Sequence, residues 1–201
     1  MALKYATSVN RFLKNSMLDN KYFKTEIVSI DEPSFGYTDL VNTNEDELIE
    51  IFDKSLDGID VDNLIHLHTL SAYRIPLNTK KINVLTCEYA SDQRNVIPKK
   101  DLEDYDKFIR VGICRTNFNN LFAESLDSGI PMEKLNTPEG IMSLIDSKDR
   151  IQKMLFDAKA HYGDRLKYVG PDCGLYGWDE PSVAFELLHR ISKVIENVKR
   201  I

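Results

Sequence analysis

No run of about 18 apolar residues occurs in this sequence, so no segment reads as a membrane-crossing helix. The opening residues, MALKYATSVNRFLKNS, lack the apolar centre of a secretory signal, and a cytoplasmic protein is expected. Cysteine is scarce. Cys87, Cys114 and Cys173 cannot all pair with one another, and thiols in a reducing compartment are the better reading. Positive charge is not in excess: 26 Lys and Arg stand against 32 Asp and Glu, a net of -6. That argues against a nucleic-acid partner, because no basic patch is available to neutralise phosphates. Lys193, Lys199 and Arg200 suit the end of a helix instead. Repeats, low-complexity tracts and Gly/Ser linkers are also missing, so residues 1–201 read as a single domain.

What is present is an ordinary globular mix, 42% hydrophobic and 29% charged. Short apolar runs alternate with amphipathic segments. Runs rich in β-branched residues lie at 26–31 (EIVSID), 63–69 (NLIHLHT), 82–88 (INVLTCE), 109–115 (IRVGICR) and 166–170 (LKYVG). Each is short enough to be a strand buried on both faces. Between them, Thr43 to Glu47 reads as a helix cap, followed by Leu48, Ile49, Phe52 and Leu56 at helical spacing. Thr137, Pro138 and Glu139 open another helix, expected to run to about Tyr162 and stop at Gly163. Asp179 and Pro181 open a last one, with Val183, Leu187, Leu188, Ile191, Val194 and Ile195 on one face. Strand–helix alternation predicts an α/β fold with a parallel sheet. Five strands are too few for a closed eight-stranded barrel. Either the sheet is open, or it is part of a barrel that another chain completes.

Four residues draw attention as metal ligands. His66 and His68 stand two apart in a predicted strand, so both side chains point to one face. Glu88 closes the next strand. Cys173 follows the fifth strand in a Pro- and Gly-containing turn, Gly170-Pro171-Asp172-Cys173-Gly174. In parallel α/β sheets these carboxyl ends share one rim, where active sites form. Two nitrogens, an oxygen and a sulfur suit tetrahedral zinc. Taken singly, each residue also has a plain reading: a hydrogen-bonded core histidine, a solvated or capping glutamate, a small buried thiol. Cys87 and Cys114 read as buried thiols of that kind. Asp31-Glu32-Pro33 sets a carboxylate pair at the end of the first strand, as a turn or as a binder of an amine or cation.

These segments together resemble the C-terminal catalytic domain of cobalamin-independent methionine synthase, with the short archaeal form the closer likeness. Ile30-Asp31-Glu32-Pro33-Ser34 resembles the family's IDEPAL element, and Ile65-His66-Leu67-His68 sits where the family carries a His-x-Cys zinc motif. NVLTCEYA at 83–90 resembles the strand ending in the zinc-binding glutamate, and VGPDCGL at 169–175 is similar to the family's NPDCGL, which holds the last zinc cysteine. Order and spacing match over nearly the whole chain, which would correspond to about the last five strands of a (β/α)8 TIM barrel.

The resemblance implies Zn2+ held by His66, His68, Glu88 and Cys173, the amine of homocysteine bound by Asp31, and methyl transfer to the homocysteine thiol to form methionine. The methyl donor would be a methylated folate or a methylcorrinoid protein. A second subunit or a second copy is expected to complete the barrel, because an open parallel sheet leaves an unpaired edge. The chain departs from the family in three ways. His68 stands for the family's cysteine; a shifted register would instead put His68 on the family's histidine and leave Leu70 at the cysteine position. Gly112-Ile113-Cys114-Arg115-Thr116 carries neither the Asp nor the catalytic His that the family's next rim strand offers. The barrel's earlier strands have no counterpart. A barrel fragment that is non-catalytic or dependent on a partner, or a related zinc methyltransferase acting on another thiol such as coenzyme M, fits the same residues.

Overall fold

The computed structural model describes residues 2–32 and 44–198. Pro33, Thr43, Lys199 and Arg200, to which the sequence assigned turn or helix-end roles, lie outside the described residues.

Five parallel strands form one sheet in the order β1 (Ile27–Asp31), β2 (Asp62–His66), β3 (Val84–Cys87), β4 (Phe108–Cys114) and β5 (Leu166–Pro171). This is the expected α/β architecture of a partial TIM barrel. β1 and β2 are paired from Ile27↔Asp62 to Asp31↔His66, and β2 and β3 through Leu64↔Val84 and Ile65↔Leu85. All of β3 is buried, as a strand covered on both faces requires. Most of the helices are short. Those between strands are α2 (Glu45–Ser55), α3 (Arg74–Asn78), α4 (Lys99–Asp104), α5 (Phe118–Asp127), α6 (Met132–Leu135), α7 (Pro138–Leu144) and α8 (Lys148–Tyr162), while α1 (Ala2–Ser16) and α9 (Pro181–Val198) flank the set.

By density of internal contacts the chain divides into two compact units. The first holds residues 1–87, 95–110 and 164–168. Its helix α2 begins where Asn44 accepts a hydrogen bond from the Asp46 amide, and Phe52 and Leu56 are buried as the spacing predicts. Its strands curve. Lys167 and Tyr168 of β5 both reach Asp62 of β2, the lysine at 2.6 Å, although β3 and β4 stand between these strands in the sheet order. A flat sheet would hold strands three places apart at about 14 Å. The ion pair therefore requires the bending that barrel strands have.

That pair carries a prediction. Burial alone would raise Asp62, but the bonds from Lys167 and Tyr168 outweigh it and hold the carboxyl below its usual value. The bond to Asp62, aided by burial, pushes the Tyr168 phenol up to about 12 from a usual 10.0. The folded pKa is thus the higher one. Its contribution to stability is present below the unfolded value and is lost as pH climbs from there towards the folded value. An ultraviolet titration of the folded chain should show one tyrosine ionising near pH 12. Tyr168→Phe should delete that late step and leave the others in place; a late step that persists would mean another tyrosine is responsible.

The second unit holds residues 88–94, 111–163 and 169–201. The single helix expected from Thr137 to Tyr162 is two helices here. Thr137 caps α7 by accepting from the Gly140 amide, the chain turns extended at Ile145, and Ser147 caps α8 by accepting from the Arg150 amide. Asp146, between them, is buried with both oxygens taken by Arg115. That tie to the residue after β4 draws the backbone out of the helical path. Gly163 ends α8 with φ at 56°, a left-handed conformation that favours glycine. On α9, Val183, Leu187, Ile191 and Val194 are buried as expected, whereas Leu188 is exposed. No helix among the described residues is long and apolar enough to cross a membrane.

Candidate metal centre

His66 is the last residue of β2, level in register with Asp31 at the end of β1. His68 lies beyond the strand, which corrects the expectation that the pair shares one strand face. The physical reason is at Leu67. Its amide donates to the Thr86 hydroxyl, 2.9 Å away, instead of continuing a backbone ladder, so the chain leaves the sheet there. The two imidazoles nonetheless meet edge to face, with ring centroids 4.6 Å apart at 81°. Each ring is oriented through one nitrogen. His66 Nδ1 lies 3.2 Å from Thr86 Oγ1, and His68 Nε2 lies 3.2 Å from Asp31 Oδ1. A carboxylate or hydroxyl on one nitrogen fixes which tautomer presents a lone pair on the other, the usual support of a metal-binding histidine.

Glu88 follows β3 directly, and Cys173 sits in the turn after β5. None of the cysteines is disulfide-bonded. The turn is assembled by the end of β4 and the residues that follow it. The Asp172 amide donates to the Cys114 carbonyl at 2.9 Å, the Cys173 amide donates to Thr116 Oγ1 at 3.2 Å, and the Trp178 indole N–H donates to the Thr116 carbonyl at 3.0 Å. The segment from Gly112 to Thr116 is thus a scaffold for the cysteine turn. Sequence reasoning did not single out Thr116, Thr86 or Asp172. The Asp172 carboxylate is buried, accepting from the Ala90 amide at 3.1 Å and from the Ser91 amide and hydroxyl at 2.7 and 2.6 Å. Burial pushes it up to about 6 against those bonds, with a smaller push from the Glu88 charge. It is still mainly ionised at neutral pH, as an acceptor of three donors should be.

The ligand atoms of His66, His68, Glu88 and Cys173 all lie within 4.8 Å of one another, a group that could hold a metal ion. The donor chemistry fits a borderline-soft divalent cation: two imidazole nitrogens, one carboxylate oxygen and one thiolate sulfur. Asp31 is not part of that group. It stands behind His68, with its side chain 61% exposed.

No family model matches the chain, and no curated protein matches it. Among solved structures, the chain is similar to a B12-independent methionine synthase from Shewanella sp. W3-18-1, determined in complex with selenomethionine. The TM-score is 0.63 at 17% identity. The match covers 98% of this chain and 54% of that one, so the chain spans about half the length of the synthase. At that identity the likeness speaks for the path of the backbone, and the five-stranded α/β fold is the one it shares with that protein.

Proposed function

We propose that this chain is the metal-binding part of a methyltransferase that moves a methyl group onto the thiol of homocysteine to form methionine. The observation that carries the reading is the convergence of His66, His68, Glu88 and Cys173, four donors from three segments of the chain, in a fold shared with a methionine synthase. A Zn2+ ion held by these residues would lower the pKa of a substrate thiol and bring it to thiolate at neutral pH. Asp31 binds the substrate amine as an ion pair while its Oδ1 holds His68 in orientation. Deprotonated, the homocysteine sulfur attacks the methyl carbon. The S–C bond forms as the donor's bond to that carbon breaks, and the electron pair stays with the donor, a methylated folate or a methylcorrinoid protein. With His68 in place of a second thiolate, the ligand set is less negative by one charge, so the substrate sulfur is held more firmly and attacks more slowly. In this reading the protein works in the cytoplasm.

The test is metal content and turnover on the purified chain. One zinc per chain is expected by elemental analysis, with homocysteine perturbing the spectrum of the cobalt-substituted protein. Failure to take up any stoichiometric divalent metal would sink the reading. Stoichiometric metal with no methionine formed from either donor class would favour the second reading, a metal-binding fragment that does not turn over alone. The Gly112–Thr116 segment, with no acid–base side chain of the family type, supports that alternative.

A further inference from the structure

The strongest unassigned feature of the second unit is the Asp172 carboxylate. It occupies a position that only a chain without a side chain at residue 112 permits. A Cβ on Gly112 would lie 1.9 Å from Asp172 Oδ1 and 2.7 Å from Asp172 Cα. Through that gap the carboxylate reaches the segment after β3 and accepts from Ala90 and Ser91. The same segment is gripped from its other side, where Arg150 Nη2 donates to the Ala90 carbonyl at 3.1 Å. Ala90 is two residues beyond Glu88, and Asp172 directly precedes Cys173. One buried carboxylate therefore ties together the segments that carry the oxygen and sulfur donors.

We propose that Asp172 is a positioning residue of the metal centre, a clamp whose hydrogen bonds to Ala90 and Ser91 set the spacing between the Glu88 carboxylate and the Cys173 thiol. The inference rests on the metal-binding reading above. Bonds from backbone amides to an ionised carboxylate are stronger than those to a neutral acceptor. The clamp is also specific for a carboxylate. Its two oxygens face two backbone donors, one each, with the Ser91 hydroxyl added to Oδ2. An asparagine of the same shape would set its NH2 against one of those N–H groups and leave that donor unmet. Metal affinity then falls because ligand atoms must be drawn into place on binding instead of waiting there.

The experiment compares the full-length wild-type, Asp172→Asn and Ser91→Ala chains by zinc competition against a chromophoric chelator, with amide hydrogen exchange of the metal-free proteins. Asp172→Asn should weaken zinc by about 10- to 100-fold, the range found when groups behind metal ligands are replaced. Ser91→Ala, which removes one bond of the clamp and keeps both backbone bonds, should weaken it by less, about twofold to fivefold, the worth of a single hydrogen bond. Exchange at Ala90 and Ser91 should speed up in Asp172→Asn. In the cobalt-substituted protein the thiolate charge-transfer band should shift, which a loss of stability alone would not produce. Wild-type affinity in Asp172→Asn would overturn the clamp while leaving the metal site standing. If Asp172→Asn does not fold, unchanged zinc affinity in Ser91→Ala overturns it. Absence of zinc binding by the wild-type chain is a distinct result and removes the metal reading and this inference together.

Discussion

Replacing Cys173 by serine, or His66 by alanine, is expected to weaken zinc binding by more than about 100-fold, beyond the loss typical of a residue standing behind a ligand. As a thiolate, Cys173 would be the softest donor of the four and would supply one of the two negative charges that offset a bound cation. His66 is fixed twice, by its place at the end of β2 and by Thr86 at its Nδ1. With Nδ1 protonated and donating to Thr86, Nε2 carries the lone pair that a metal would take. Neither substitution removes a packed core side chain, so the metal-free proteins should melt close to the wild type. That separates loss of a ligand from loss of the fold. His68→Ala should cost as much as His66→Ala, because with Asp31 at Nε2 the ring would offer Nδ1 to a metal. If His68→Ala kept full metal content, His68 would leave the ligand set, and the register that sets it beside His66 as a second ligand would be wrong. The measurement in each case is bound zinc at equilibrium against a chelator of known affinity.

The parts of this protein that could be read from sequence are those whose causes are local. Val84–Cys87 is an unbroken apolar run and becomes a strand buried on every residue. Thr137 before Pro138 announces a helix start, and Thr137 does cap one. The parts that could not be read are those decided by a side chain far along the chain. Near Ile145 the only local sign of the break between α7 and α8 is the Ser147 cap, because what draws the backbone out is Arg115, 31 residues away from Asp146. The end of β2 was placed too late for the same kind of reason. Leu67 gives its amide to Thr86, 19 residues on, and His68 reaches its partners from a turn, not from a strand face. The four candidate ligands come together even though part of the reasoning for them, period-two alternation, does not hold at His68. Asp172 was in view within the PDCG turn, but its role depends on an empty space at Gly112, 60 residues earlier, and an empty space leaves no pattern to recognise.

Gly112→Ala is expected to be strongly destabilising. The added carbon would lie 1.9 Å from the Asp172 carboxylate oxygen and 2.7 Å from the Asp172 Cα. A flexible side chain tip could swing away, but Cα cannot. The Asp172 amide is bonded to the Cys114 carbonyl, so moving the backbone breaks a strand-end hydrogen bond as well as the clamp on Ala90 and Ser91. Overpacking by a methyl in a dense core costs about 1–3 kcal/mol, and the loss of bonds to a buried charged group adds about 1.5–3 kcal/mol more. A total near 3–5 kcal/mol would lower the melting temperature of a chain this size by about 6–20 °C, at roughly 2–4 °C per kcal/mol. Gly174→Ala provides the control. A Cβ there would have no neighbour within 4 Å, although the residue is next to Cys173, so its melting temperature should stay within about 2 °C of wild type, as surface substitutions usually do. The contrast tests the route of one side chain. Equal melting temperatures for the two variants would mean that Asp172 does not pass over Gly112, and the clamp would have to be abandoned even if zinc still binds.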